Sequence, residues 1–249
     1  MKLCILIFAG LFAVMSAGCD SNPVTLQEGR FETPEKDLSL QAMDLQRFVD
    51  DAPDGGVVVI PLGRYELAEP LRLTGRRNLR LAFEPGTQLR GLDTNAAVVA
   101  ITDSQGVTVT GLRARHEKPL ASYNCHGPVI SVQDSRDVRI ENCELNGCGA
   151  IGVSAVRSTL SIVNCHVHHN TFNAFYFSSC QEVTVVGNLV EHNANTFQAY
   201  RCGEILWSDN LIRDNGGYWQ PACQPGIRIH PEAASSPAEA RVQPDFPAR

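Results

Sequence analysis

Charge is scarce in this sequence and aromatic side chains are scarcer. Asp, Glu, Lys and Arg make up 19% of the 249 residues, and Phe, Trp and Tyr only 7%. Lys and Arg form no run; the clusters Arg76-Arg77 and Arg113 to Lys118 are short. With a net charge of −6, nothing here suits a nucleic-acid partner, and those clusters read as solvated surface. The apolar run Leu3 to Val14 is too short to span a bilayer. No long helical stretch occurs after the first fifty residues or so. What is present is 43% apolar content, enough for a packed core in one elongated domain or one to two ordinary ones.

The first residues read as targeting signal and not as fold. Lys2 is the positive end, the apolar run follows, and Ser16-Ala17-Gly18-Cys19 closes the segment. That tetrapeptide resembles the lipobox of bacterial lipoproteins, with Ser16 where Leu is usual. The resemblance implies lipidation at Cys19 and a protein anchored to a membrane without spanning it. Ordinary signal cleavage in the same region is the alternative. Either way the chain is expected to be exported to the cell envelope; the anchored form would face the periplasm of a bacterium. Asp20, next to Cys19, hints at the inner membrane. Residues 1–18 are thus the expected signal peptide and residues 19–37, polar with Pro and Gly, a tether.

Leu38, Ala42, Leu45 and Val49 fall at helical spacing, and Pro53-Asp54-Gly55-Gly56 ends that pattern. Short strands and turns follow, beginning with Val57 to Ile60. Their period shows in asparagine: Asn142, Asn164, Asn188 and Asn210 are 22, 24 and 22 residues apart. Each follows an alternating apolar run, and each precedes a second strand, a polar turn and a third strand. Three strands and three turns in about twenty-two residues make one coil of a β-helix, which buries its core only by stacking on other coils. The four Asn are expected to form a ladder, each bonding the copy above and below. Nine Cys less Cys4 and Cys19 leave seven, an odd number. Cys143 and Cys165 are 22 apart, as are Cys180 and Cys202, so these four read as small residues stacked in line and not as crossbridges.

The stretch Gly55-Gly56-Val57-Val58-Val59-Ile60-Pro61-Leu62-Gly63-Arg64-Tyr65-Glu66-Leu67, then Pro70-Leu71 and Gly86-Thr87-Gln88-Leu89, resembles the opening coils of the pectate-lyase-like superfamily. The resemblance covers about residues 38–230. It implies an all-β, single-stranded right-handed parallel β-helix of about seven coils, closed at its N-terminal end by a short capping α-helix. It also implies a polysaccharide ligand along the outward face of the first strand of each coil. Counting from Pro128, Ala150 and Ala174 places Val129, Ser131, Ile151, Val153, Phe175 and Phe177 inward. The same count places Ile130, Val132, Gly152, Ser154, Tyr176, Ser178, Gln198 and Tyr200 outward, with Arg228 and His230 on that side in the last coil.

The candidate catalytic residues are therefore Tyr176, Tyr200, Arg228 and His230. Tyr suits stacking on sugar rings, Arg a uronate carboxylate, and His or Tyr acid–base work at its C5 carbon. Gln198, His168, His192, Arg115 and His126 are candidate substrate-binding residues. The last two belong to an insertion, Arg113 to Gly127, that lengthens one coil. His168, His169 and His192 would suit a metal, but stacked Asn and His turns also serve the coil itself; no metal site is assigned. No Asp pair lies on the expected face for hydrolysis. The Asp-Pro-His motif of alginate epimerases and a clear calcium-binding Asp set are also missing, though calcium stays open as a cofactor.

The expected function is a carbohydrate-active lipoprotein of the envelope, whose enzymatic status is open. If it is an enzyme, it is a lyase or C5-epimerase on anionic polysaccharide rather than a hydrolase. The alternative is a non-catalytic β-helix binding glycan or protein. Residues 231–249, rich in Pro, Ala and Ser, are expected to be disordered. The C-terminal coil then needs a cover, for which self-association is one candidate.

Overall fold

The computed structural model describes residues 44–117, 126–146, 150–216 and 228–232, the last for its backbone alone. The expected signal peptide, Cys19, the tether, the start of the cap helix, residues 118–125 of the insertion and residues 233–249 lie outside the described residues.

Among the described residues there is one helix, Leu45–Asp50, and no helix long and apolar enough to cross a membrane. Asp44 caps the helix, its carboxylate accepting from the Arg47 backbone N–H at 3.1 Å. Leu45 and Val49 turn inward and are buried, whereas Phe48 faces out. Everything else is parallel β-structure in three sheets of eight, seven and six strands.

The chain visits the sheets in strict rotation. Val57–Ile60 opens the eight-stranded sheet, Arg64–Leu67 the seven-stranded sheet and Leu71–Thr74 the six-stranded sheet. The rotation repeats to give six complete three-strand coils and the start of further ones. Each strand pairs in parallel with the strand one coil away, as in Val138↔Leu160, Leu160↔Val183 and Val183↔Ile205. The core is the column of inward side chains between the sheets. It is aliphatic through most of the helix and aromatic toward its later coils, where Phe175, Phe177, Phe197 and Trp207 pack together.

The corners share one grammar. A residue with positive φ reverses the chain, and the next residue turns inward and stacks. Between the eight- and seven-stranded sheets the reversing residues are Gly111, Asn142, Asn164, Gly187 and Asp209. The conformation costs most L-residues about 1–2 kcal/mol, least for Asn and Asp, and nothing for Gly. At Gly187 even the space is taken: a Cβ would sit 2.6 Å from Asn164 Oδ1.

This grammar corrects the expected ladder. Asn142 and Asn164 are reversing residues, so they do not stack inward. Cys143, Cys165, Asn188 and Asn210 form the inward column. Val163 pairs with Val186, so Gly187 takes the reversing place of Asn164 and Asn188 the inward place of Cys165. Asn188 Nδ2 donates to Asn210 Oδ1 at 2.8 Å, and Asn188 Oδ1 accepts from the Cys165 backbone N–H at 2.8 Å. A second, unforeseen ladder runs through Asn170, Asn193 and Asn215 at the next corner, with side-chain bonds of 2.8 and 2.9 Å. The third corner stacks Ser104, Ser135 and Ser158, each donor N–H one coil from its acceptor hydroxyl. Cys180 and Cys202 continue that position. All four in-line cysteines are buried free thiols, as their spacing led us to expect.

Two placements differ from the count along the strands. In the coil after the insertion, Ile130 and Val132 point inward and Ser131 outward, because Ile130 pairs with Val153. Pro128 is equivalent to Ile151 and not to Ala150, and a one-residue offset inverts a strand's faces. Gly152 is inward too, for a Cβ there would meet the Val167 side chain at 2.5 Å. Strand Arg228–Glu232 pairs with Glu204–Ser208 and so belongs to the eight-stranded sheet. It runs through Pro231 and Glu232, past the point where the tail was expected to begin.

Buried ladder Asn and reversing Asn should differ in energetic weight. Asn193→Ala or Asn188→Ala, which orphan buried backbone partners, should each cost about 1–3 kcal/mol in urea unfolding. Asn142→Gly should stay within about 0.5 kcal/mol of the parent. Equal losses at all three would contradict this division of the columns.

Candidate functional site

The outward face of the six-stranded sheet carries two rows. Parallel register aligns Ala100, Ser131, Ser154, Tyr176 and Gln198 in one row. Thr102, Gln133, Val156, Ser178 and Tyr200 form the other. Tyr176 and Tyr200 meet diagonally, their ring centroids 5.8 Å apart at 47°. Tyr200 is 38% exposed, as is Phe172 at the start of the neighbouring strand. Gln198 is held by Asn173, whose Nδ2 donates to its Oε1 at 2.9 Å.

The fold thus brings Tyr176, Gln198 and Tyr200 together. It sets Arg228 and His230 apart, on a strand of the eight-stranded sheet. The earlier grouping failed because the last coil was counted from a strand that belongs to another face. His126 is exposed at the corner where the insertion rejoins the coil, its backbone N–H donating to Thr94 O at 3.2 Å. Arg115 and His168 lie on the seven-stranded sheet. His192 is an exposed reversing residue stacked above His169, with ring centroids 5.0 Å apart.

The densest chemistry lies on that seven-stranded sheet, and most of it was not singled out from the sequence. His166 and His168 stack face to face, their centroids 3.9 Å apart. His166 Nε2 is 2.9 Å from Glu191 Oε1, and His168 Nε2 is 3.5 Å from Glu144 Oε1. Arg213 Nε donates to Glu191 at 2.5 Å, and Arg113 Nε to Glu144 at 2.7 Å. One ring N–H joins His168 Nδ1 to His169 Nδ1 at 2.7 Å. The seam therefore reads Arg113, Glu144, His168, His166, Glu191, Arg213. A sequence signal for it existed in the polar–apolar–polar triplets Arg113-Ala114-Arg115, Glu144-Leu145-Asn146 and His166-Val167-His168. Beside the seam, Gln88, Arg113, Arg115, Glu144 and Asn146 line a shallow open hollow. No group of three or more His, Cys, Asp or Glu among the described residues could hold a metal ion.

Comparison with known proteins bears on this architecture. The family model described as "Right handed beta helix region" matches residues 97–240, more than half of the chain. The chain belongs to the right-handed β-helix family. Among solved structures, a pectin methylesterase mutant in complex with a hexasaccharide is similar at 12% identity and a TM-score of 0.45. That match covers 71% of this chain and 78% of the other. No curated protein matches the sequence.

Within this β-helix, the electrostatics of the seam are self-contained. Burial, aided by neighbouring His168, pushes His166 down to about 4, so its ring is neutral at pH 7. His169 is lowered by burial and then by His168 and His192. Burial alone would raise Glu144, but hydrogen bonds from His168 and Arg113 outweigh it and hold the carboxyl below its ordinary value. Glu191 is lowered in the same way, against burial, by Arg213 and His166. Both carboxylates are ionised and each is claimed by an Arg, so neither is the protonated acid that glycoside hydrolysis requires. The seam pairs its charges internally and links five successive coils.

Its linkage to pH has a definite sign. His166 titrates near 6.5 when unfolded and about 4 when folded, so the unfolded chain binds more protons between those values. Stability is complete above about pH 6.5 and declines as pH falls toward 4. The thermal midpoint should therefore drop on acidification from pH 7 to pH 5, and His166→Gln should make that drop shallower. Parallel pH profiles for the two proteins would refute the assignment.

Proposed function

We propose that this chain is a glycan-binding β-helix of the cell envelope, exported and held at a membrane through lipidated Cys19. The observation that carries the binding reading is the Tyr176–Tyr200 pair on the outward face of the six-stranded sheet, Tyr176 half-buried and Tyr200 exposed. Tyrosine offers an apolar ring face to sugar C–H groups and a hydroxyl at its edge. Gln198, Ser154, Ser178 and Gln133 surround the pair with donors and acceptors that match sugar hydroxyls. Strand spacing of about 4.8 Å presents these groups at regular intervals along the helix axis, which suits an extended polymer.

Binding is favoured over catalysis for this face. A lyase or epimerase needs a base beside a cation that neutralises the uronate, and Arg228 and His230, which were to supply them, belong to another sheet. The seam of His and Glu is spent on internal partners.

Saturable binding to at least one polysaccharide, without new reducing ends or unsaturated product, is the expected outcome. Tyr176→Ala and Tyr200→Ala should each weaken it roughly tenfold, about 1.4 kcal/mol, with the circular-dichroism spectrum unchanged. Turnover of any polymer tested would overturn the binding-only reading. For the anchor, Cys19→Ser should move the protein from the membrane fraction to the soluble one; unchanged partitioning would remove lipidation from the proposal.

A further inference from the structure

The tyrosine face is almost free of charge. Across strands Val99–Thr102, Ile130–Gln133, Ile151–Val156, Asn173–Ser178 and Asn195–Tyr200, no Asp, Glu, Lys, Arg or His occurs. The charge on this sheet is Arg72 in its first strand, four strands from Tyr176, about 19 Å away at the usual spacing. We propose, on the reading that this face binds glycan, that its ligand is an uncharged polysaccharide and not the anionic polysaccharide expected for a lyase or epimerase.

Among the described residues, the charged groups that directly follow these strands are the reversing residues Asp103, Asp134, Arg157 and Arg201. Two are acidic and two basic, so the corner has no net charge to attract a polyanion. Arg157 is already paired: its Nε and Nη2 donate to the two Asp134 oxygens at 2.6 and 2.7 Å. That bidentate pair takes the side-on edge of the guanidinium and sets a carboxylate against its charge. Arg201 has interactions of its own. A polyuronate laid on this sheet would place a carboxylate on every ring against serine, glutamine and tyrosine, losing water without gaining a counter-charge. The net charge of −6 adds long-range repulsion. A neutral polymer meets none of these costs, and its hydroxyls find partners in Ser131, Gln133, Ser154, Ser178 and Gln198.

The test uses the mature full-length protein and several polyuronates, each paired with the same polymer after reduction of its carboxylates to hydroxymethyl groups. Affinity is measured by calorimetry at low and high salt. At least one reduced polymer should bind about tenfold more tightly than its parent, with little dependence on salt. That binding should be weakened by Tyr200→Ala. Ser178→Lys, which adds a cation beside Tyr200, should shift preference toward the parent polyuronate. Equal or tighter binding of the parents, or affinity that falls with salt, overturns the neutral-ligand proposal while leaving glycan binding intact. Failure of both members of every pair to bind overturns the glycan reading itself.

Discussion

Everything in this molecule depends on the vertical match between one coil and the next. Strands pair in parallel at a fixed spacing, so each corner must turn in the same place in every coil. The corners achieve this with a positive-φ residue followed by an inward stacker. The stackers are small or self-complementary: Ser104, Ser135 and Ser158 at one corner, Asn170, Asn193 and Asn215 at another. A buried amide left without its neighbour would cost more than the bond contributes, so the columns are cooperative and enforce register. Cysteine can enter them because a thiol is small and its Sγ–H still reaches a carbonyl, as Cys143 does to Glu141 O at 3.2 Å.

With register fixed, the outward faces become independent surfaces. Each face is a set of rows in which residues one coil apart are neighbours. On the seven-stranded sheet that adjacency places Glu144 and Glu191 on either side of the stacked His166 and His168, with Arg113 and Arg213 at the ends. On the six-stranded sheet it places Tyr176 next to Tyr200 on an uncharged ground. The first arrangement pairs its carboxylates with Arg and His from neighbouring coils. The second leaves aromatic surface and hydroxyls facing outward. The contrast, more than any motif, is why we assign ligand binding to the tyrosine face.

The period, the three-strand coil and the in-line cysteines were legible in the sequence because repetition at about twenty-two residues survives any local ambiguity. The belonging of Tyr176, Gln198 and Tyr200 to one face was legible too, since their strands are regular and equally spaced. The ladder was misread by one residue because Asn occurs both as reversing residue and as stacker, and composition does not separate the two roles. Arg228 and His230 were misgrouped because their strand was counted as the third of a coil, whereas it pairs with Glu204–Ser208 as the first strand of the next.

By itself, then, the sequence determined the coil: which segments are strands, where the chain turns, and that burial is possible only by stacking. These are properties of local pattern. Only the tertiary structure decided which turn residue points inward, which sheet each late strand joins and which side chains become neighbours across coils. Those outcomes depend on the register between coils, where one position decides whether a residue reverses the chain, as Asn164 does, or stacks inward, as Asn188 does. Contacts of this kind, as in the His166–Glu191 and Tyr176–Tyr200 pairs, are made between coils and not within any one stretch of the chain.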